Sequence, residues 1–123
     1  MVKNMEDEEK EIPPEEKGLG LKEVLDEMKD AGIEGALVRN DGVMVYSTMP
    51  LDEGGAKLIS SFGNVLDAML KSVGDTQREV EVSLNRKFLV MIPIRTHVLC
   101  GMLSNRDKKE NLRGFADRIK LII

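Results

Sequence analysis

The sequence is poor in the side chains that build disulfides and metal sites. It contains a single cysteine, Cys100, and a single histidine, His97. One cysteine cannot form an intramolecular disulfide, and the two residues together fall short of the roughly four ligands of a structural zinc site. A Cys–His catalytic pair is also disfavoured, because residues three apart in a strand point to opposite faces of the sheet. We therefore expect no metal, no cofactor and a small core thiol.

Long apolar runs and a surplus of basic residues are missing as well. No stretch approaches the roughly 20 apolar residues that cross a bilayer, and the N-terminus lacks the patterns of secretion signals and transit peptides. Residues 1–17 contain seven acids and three lysines, which accounts for the whole net charge of −4. The remaining chain is neutral, unlike most nucleic-acid binders. These absences predict a cytoplasmic chain with no membrane insertion and no nucleic-acid partner.

Motifs for catalysis are absent too. The sequence has no phosphate-binding loop of the G-x-x-x-x-G-K-[ST] type, and no acidic pair is placed in an apolar pocket. Arg39, Arg86 and Arg95 fall in predicted turns, where an arginine can meet a phosphate that a partner supplies. We interpret them as solubilising turn residues instead. The chain is expected not to be an enzyme.

The chain length of 123 residues fits one domain with one hydrophobic core. Residues 1–17 are charged and contain Pro13-Pro14, so we predict a disordered acidic tail followed by a single folded domain over residues 18–123. Leu21, Val24 and Leu25 begin an amphipathic helical pattern, which Gly32 is expected to stop.

Five strands and two more helices are predicted after this first helix. The strands cover residues 33–38, 43–46, 79–84, 88–94 and 98–103, and an Asn-Asp-Gly turn joins the first two as a hairpin. A long helix, helix 2, runs from Asp52-Glu53 to about Val73, and a final helix lies near the C-terminus. The order α-β-β-α-β-β-β-α fits an antiparallel sheet. The third strand alternates apolar and polar residues, as a strand with one buried face and one wet face does, and this indicates a sheet edge. The last two strands are apolar throughout and should be central.

Helix 2 and the third strand contain the candidate binding residues. The apolar arc of helix 2 is wider than a helix covering one sheet face needs, and an unpaired edge strand is a template for another chain. We therefore predict a two-fold homodimer. Its interface set is Leu58, Ile59, Phe62, Val65, Leu66, Met69, Val73, Val80, Glu81 and Val82. The less apolar side of helix 2 supplies a partner-binding set of Lys57, Ser61, Asn64, Ala68 and Lys71.

Charges raise one difficulty for this dimer. Glu79 and Glu81 would approach their symmetry mates, and the sequence does not reveal what offsets the repulsion. The basic residues near the C-terminus, among them Arg106, Lys109 and Arg113, are interpreted as a solvated helix face.

Several segments resemble the roadblock/dynein light chain family. They are the GIEGALV stretch at residues 32–38, the Asn-Asp-Gly turn, the long helix 2 and the apolar strands at 88–93 and 98–103. The resemblance covers roughly residues 19–120. It implies a profilin-like or longin-like α+β sandwich, with helix 2 on one face of a five-stranded antiparallel sheet and the other two helices on the opposite face. It also implies a homodimer through helix 2 and the third strand.

The resemblance further implies a regulatory role. Family members act as scaffolds or activators for Ras-like small GTPases, and some are dynein-associated adaptors; no catalytic residue carries over. The leading hypothesis is a homodimeric module that binds a Ras-like small GTPase and modulates its nucleotide state or activity. One alternative is an adaptor that tethers partner proteins without nucleotide dependence. A third is a small-molecule sensor.

Overall fold

A computed structural model describes residues 14–72, 74 and 79–123 of the chain. The helices are α1 (Pro14–Asp30), α2 (Glu53–Ser72) and α3 (Lys109–Ile122), and a short 3-10 helix (Arg106–Lys108) precedes α3. The strands are β1 (Glu34–Arg39), β2 (Met44–Ser47), β3 (Val80–Ser83), β4 (Phe88–Ile94) and β5 (His97–Leu103). None of the helices in these ranges is both long and apolar enough to span a membrane.

All five strands form one antiparallel sheet in the order β2-β1-β5-β4-β3. The larger core cluster lies between one face of the sheet and the two helices α1 and α3, with Leu25, Leu99 and Leu112 fully buried. A smaller cluster around Ala36, Met91 and Cys100 lies on the opposite face, where partly buried Ile59 of α2 packs against it. The predicted sandwich, with α2 on one face and α1 and α3 on the other, is confirmed. Both apolar strands are interior, and β3 is at the edge, as predicted.

The first helix begins earlier than the sequence pattern suggested. We expected it from Leu21, after a tail ending at residue 17, but α1 already starts at Pro14. A proline at the first helical position needs no partner for its missing N–H, and its fixed φ suits a helix. Residues 14–17 are therefore helical, and the acidic side chains of Glu15 and Glu16 suit the positive end of the helix dipole. The rest of the predicted tail, residues 1–13, lies outside the described residues.

Gly32 ends α1 as predicted. It adopts a φ of 85°, and the N–H of Ile33 donates to the carbonyl of Met28 at 2.8 Å. This is the Schellman arrangement, which needs a left-handed residue after the helix. The Nζ of Lys108 donates to the carbonyl of Ala31 at 3.0 Å. The residue before α3 thus also satisfies the end of α1.

Glycines let both helices approach the sheet closely. Gly35 of β1 pairs with Gly101 of β5. A Cβ at Gly35 would lie 2.6 Å from Cε of Met28 in α1, and one at Gly101 would lie 2.8 Å from Cδ1 of Leu112 in α3. The sheet face under α1 and α3 is therefore densely filled. Large apolar side chains anchor both helices there, which contrasts with the packing of α2.

Candidate interaction surface

The part of α2 that faces the sheet combines small buried residues with the partly buried Ile59. Ala56, Ser60 and Gly63 are the buried residues among those of α2 whose side chains are described. Ser60 Oγ donates to the carbonyl of Asn40 in the β1–β2 turn, and Asn64 Nδ2 donates to the same oxygen at 3.1 Å. These residues hold the helix near the sheet by close approach and by polar contacts.

Four large apolar residues of α2 are exposed to solvent. Leu58 is 72% exposed, Val65 59%, Met69 61% and Phe62 45%. At 3.6 residues per turn, Leu58, Val65 and Met69 lie on the side of the helix roughly opposite Ala56, Ser60 and Gly63. We call Leu58, Val65 and Met69 the outward ridge. Exposed apolar side chains grouped in this way mark an interaction site.

A groove runs beside α2 on the same face of the sheet. Leu58, Ile59 and Phe62 form its helix side, and Val82, Leu89 and Met91 of β3 and β4 form its floor, enclosing about 290 Å³. It adjoins a second apolar cavity of about 430 Å³ near the start of α2, lined in part by Leu51 and Leu89. Val80 and Val82 are only partly buried, since the main contacts of α2 are with β1 and β5. This half of the sheet face is open and apolar.

The two edges of the sheet differ. Within the described chain, β3 pairs only with β4, in regular register from Val80↔Met91 to Ser83↔Phe88. The other edge strand, β2, pairs with β1 across a register shift between Leu37 and Val38. Bulges of this kind twist an edge and discourage pairing with another chain. Of the two edges, β3 is the better template.

The acids of the β3 edge are paired, which corrects two expectations. Arg113 binds Glu79 with Nη2 2.7 Å from Oε1 and Nε 3.1 Å from Oε2. Lys109 Nζ lies 2.6 Å from Glu81 Oε1, and Arg106 Nη2 lies 3.2 Å from Glu81 Oε2. The strand face carrying Glu79 and Glu81 is therefore not simply wet, and these three cations are not a merely solvated helix face. We call these five residues the edge clamp.

The clamp shifts the ionisation of both acids. Hydrogen bonds from Arg113 lower the pKa of Glu79 below its ordinary value, with smaller contributions from its charge and that of Lys109. Hydrogen bonds from Lys109 and then Arg106 likewise lower the pKa of Glu81. Both side chains are thus held as carboxylates. The repulsion that the sequence left unexplained is offset within one copy of the chain.

The predicted residues divide clearly in the structure. In the interface set, Leu58, Phe62, Val65 and Met69 are exposed, while Ile59, Val80, Glu81 and Val82 are partly buried. Val73 and the side chain of Leu66 lie outside the described residues. The partner-binding set consists of exposed residues along one side of α2: Lys57, Ser61, Asn64, Ala68 and Lys71. Asn64 also donates a hydrogen bond to the carbonyl of Asn40, an anchoring role that no sequence pattern indicates.

The chemically reactive residues remain apart. Cys100 is buried, and burial raises the pKa of its thiol to about 12, so it is a poor nucleophile. His97 opens β5, with Nδ1 3.0 Å from Thr96 Oγ1, and burial lowers its pKa. Arg39 pairs with Asp41, and Arg95 occupies a turn with φ 54°. The described residues hold no cluster of three or more His, Cys, Asp or Glu side chains suited to a metal.

The architecture is an α+β fold that is roadblock/LC7-like and profilin-like. Among solved structures, Myxococcus xanthus MglB is similar with a TM-score of 0.79 and 20% identity, covering 91% of this chain and 93% of that one. A roadblock/LC7 domain from Streptomyces avermitilis gives 0.52 and 17%, covering 72% and 77%. Acanthamoeba castellanii profilin IB gives 0.57 and 12%, covering 76% and 89%.

At these identities the likeness concerns the fold. No protein-family model matches the sequence, and no curated protein matches it either. The roadblock-like fold expected from the sequence is confirmed by the structural comparison.

Proposed function

We propose that the chain is a cytoplasmic, non-catalytic homodimeric module that binds a Ras-like small GTPase and modulates its nucleotide state or activity. The outward ridge of α2 is the observation that carries this proposal. Leu58, Val65 and Met69 are apolar, exposed and on the side of the helix turned away from the sheet. The roadblock-like fold supports the choice of partner, because family members regulate such GTPases.

A second copy is the occupant that best fits the groove. The free edge of β3 offers backbone groups for antiparallel pairing, and the same two-fold axis would bring the Phe62 side of each α2 over the open β3–β4 half of the combined sheet. Interface cores are depleted in charge, and the groove residues Ile59, Phe62, Val82, Leu89 and Met91 are all uncharged. The homodimer therefore uses one side of α2.

The homodimer contact leaves most of the outward ridge exposed. A second copy placed beside α2 covers Ile59 and Phe62 and contacts Leu58 at the rim of the groove, while Val65 and Met69 continue to point away from the sheet. Two copies would present two such ridges, flanked by the polar set that includes Lys57 and Lys71. Because the sequence has no phosphate-binding loop, any effect on a bound nucleotide would be exerted through contact with the GTPase, by favouring one of its conformations.

Binding to the small GTPases of the same cell tests the function. We expect the chain to bind one of them with an affinity that differs between the GDP form and the form loaded with a non-hydrolysable GTP analogue. Met69→Lys, on the outward ridge, should weaken binding about tenfold or more, which is about 1.4 kcal/mol. Leu121→Lys is the matched control, since Leu121 is an exposed apolar residue of α3 on the opposite face of the sheet.

The other outcomes of this experiment separate the alternatives. Equal affinity for both nucleotide forms would support the adaptor hypothesis, in which the dimer tethers partners without nucleotide dependence. Binding to none of the GTPases, with no change in their hydrolysis rates, would refute the proposal. A metabolite that raises the melting temperature of the chain would instead favour a sensor, with the 430 Å³ cavity as its site.

A further inference from the structure

The edge clamp ties β3 to α3 across the sheet face opposite the groove. Glu79 lies just before β3 and Glu81 lies within it, while Arg106 belongs to the 3-10 helix and Lys109 and Arg113 to α3. None of the five lines the groove beside α2. A role for this cluster in assembly would therefore be exerted through the position and charge of β3.

Lys109 is the centre of the clamp. Its Nζ lies 2.6 Å from Oε1 of Glu81 and 4.0 Å from Oε1 of Glu79. The side chains of Lys109 and Glu81 are only 23% and 21% exposed. Ion pairs that are largely covered and joined in a network contribute more than isolated pairs at the surface, which are weak and screened by salt.

The geometry of a two-fold dimer explains why the acids matter. If both α2 helices lie on one face, the axis is perpendicular to the sheet, and residues directly opposite each other across the β3 pair share a face. If the two-fold axis passes through the β3 pair at Glu81, the Glu81 side chains of the two copies lie opposite each other. With the axis at Val80, Glu79 meets Glu81 of the other copy. Like charges directly opposite each other destabilise a strand pair, so pairing in these registers requires nearby cations.

We propose that the edge clamp makes β3 competent to pair with β3 of a second copy. Arg106, Lys109 and Arg113 act as positioning residues: they neutralise Glu79 and Glu81 and hold the strand flat against α3, while its outer edge stays free. This inference rests on the proposed homodimer and assigns a part in its assembly to residues outside the groove. The edge clamp also selects the partner of β3, because an acidic strand edge can pair with another acidic strand edge only when both copies carry such cations.

Reversal of the central charge tests the clamp. Lys109→Glu should raise the dimer dissociation constant at least about tenfold, measured by analytical ultracentrifugation over a dilution series of the full chain. Lys120→Glu is the matched control, because it makes the same charge change at an exposed position of the same helix. The charge swap Lys109→Glu with Glu81→Lys should recover part of the association, because the swapped pair attracts again while Arg106 and Glu79 each face a like charge.

Three further outcomes are decisive. A wild-type monomer would refute the homodimer itself. A wild-type dimer that Lys109→Glu leaves unchanged would refute the clamp while the homodimer stands. If circular dichroism shows that Lys109→Glu unfolds, the milder Lys109→Gln serves instead: it should weaken the dimer severalfold, and wild-type affinity in this folded variant would overturn the inference.

Discussion

At Gly101 the backbone of β5 lies against α3 with no room for a side chain. A Cβ there would lie 2.8 Å and 2.9 Å from the two methyl carbons of Leu112, which is fully buried. Carbon atoms in folded proteins do not come this close, so the side chain of Leu112 would have to shift. Leu112 is surrounded by core residues. The spacing between α3 and the sheet is thus determined by this glycine.

Gly101→Ala should therefore destabilise the fold by about 1–3 kcal/mol through overpacking. Gly114→Ala is the matched control, because Gly114 lies in the exposed face of α3 and a Cβ there meets nothing within 4 Å. The control should gain up to about 1 kcal/mol from helix propensity. Urea unfolding of both variants measures the two effects, and a neutral Gly101→Ala would contradict the close approach.

The sequence predicted which residues are apolar and periodic, but not these contacts. Gly32 was recognisable as a helix stop because it follows an amphipathic run directly. Gly35 and Gly101 gave no such signal, since their need for space arises from Met28 and Leu112, which are distant in the sequence. The pairing of Asn64 with Asn40 was hidden for the same reason.

Among the secondary-structure elements, α3 and β3 are coupled by the edge clamp, and the coupling has a pH dependence. The pKa values of Glu79 and Glu81 lie below the ordinary value of 4.5 in the folded chain. A carboxylate of this kind stabilises the fold at pH values above its unfolded pKa. This contribution is lost as the pH falls through the folded pKa.

Glu81→Gln removes one of these titrating groups. We expect its free energy of unfolding to fall less than that of the wild type between about pH 5 and about pH 3, because it has no carboxylate to protonate there. Urea unfolding at a series of pH values measures the slope. Glu23→Gln, at an exposed position of α1, makes the same change in net charge and should follow the wild type. Parallel curves for Glu81→Gln and the wild type would contradict the coupling.

The order of the elements was accessible from sequence, whereas the orientation of α2 was only partly so. Its wide apolar arc indicated that something besides the sheet covers it. Which residues face the sheet depends on the space above the strands: Ala56, Ser60 and Gly63 fit against them, and a Cβ at Gly63 would already lie 3.6 Å from Val98. The ionic role of α3 was missed because Arg113 and Glu79 are far apart in the chain.

For the whole molecule, the structure predicts that folding and association are linked. On the α2 face, Val80, Val82 and Leu89 are only partly covered by the described residues of one copy, so a second copy that fills the groove should stabilise the folded state by mass action. The melting temperature should then rise with protein concentration. Concentration-independent melting together with a monomeric mass would contradict the proposed homodimer.

Substitutions in the groove test the homodimer interface directly. Phe62→Asp in α2 and Val82→Asp in β3 should each split the dimer into folded monomers, because a carboxylate buried in an apolar contact is strongly unfavourable. Light scattering gives the mass, and circular dichroism confirms the fold. Leu19→Asp is the control, since Leu19 is an exposed apolar residue of α1 and lies away from the groove. A Phe62→Asp dimer of wild-type affinity would exclude this interface.

The modest attachment of α2 has a consequence for evolution. Because Ala56, Ser60 and Gly63 hold the helix to the sheet and Asn40 binds its side, the outward positions contribute little to the core. Substitutions at Leu58, Val65 or Met69 can change which partner is preferred with little loss of folding stability. After gene duplication, two copies of this domain can therefore diverge in specificity through a few substitutions on a single helix.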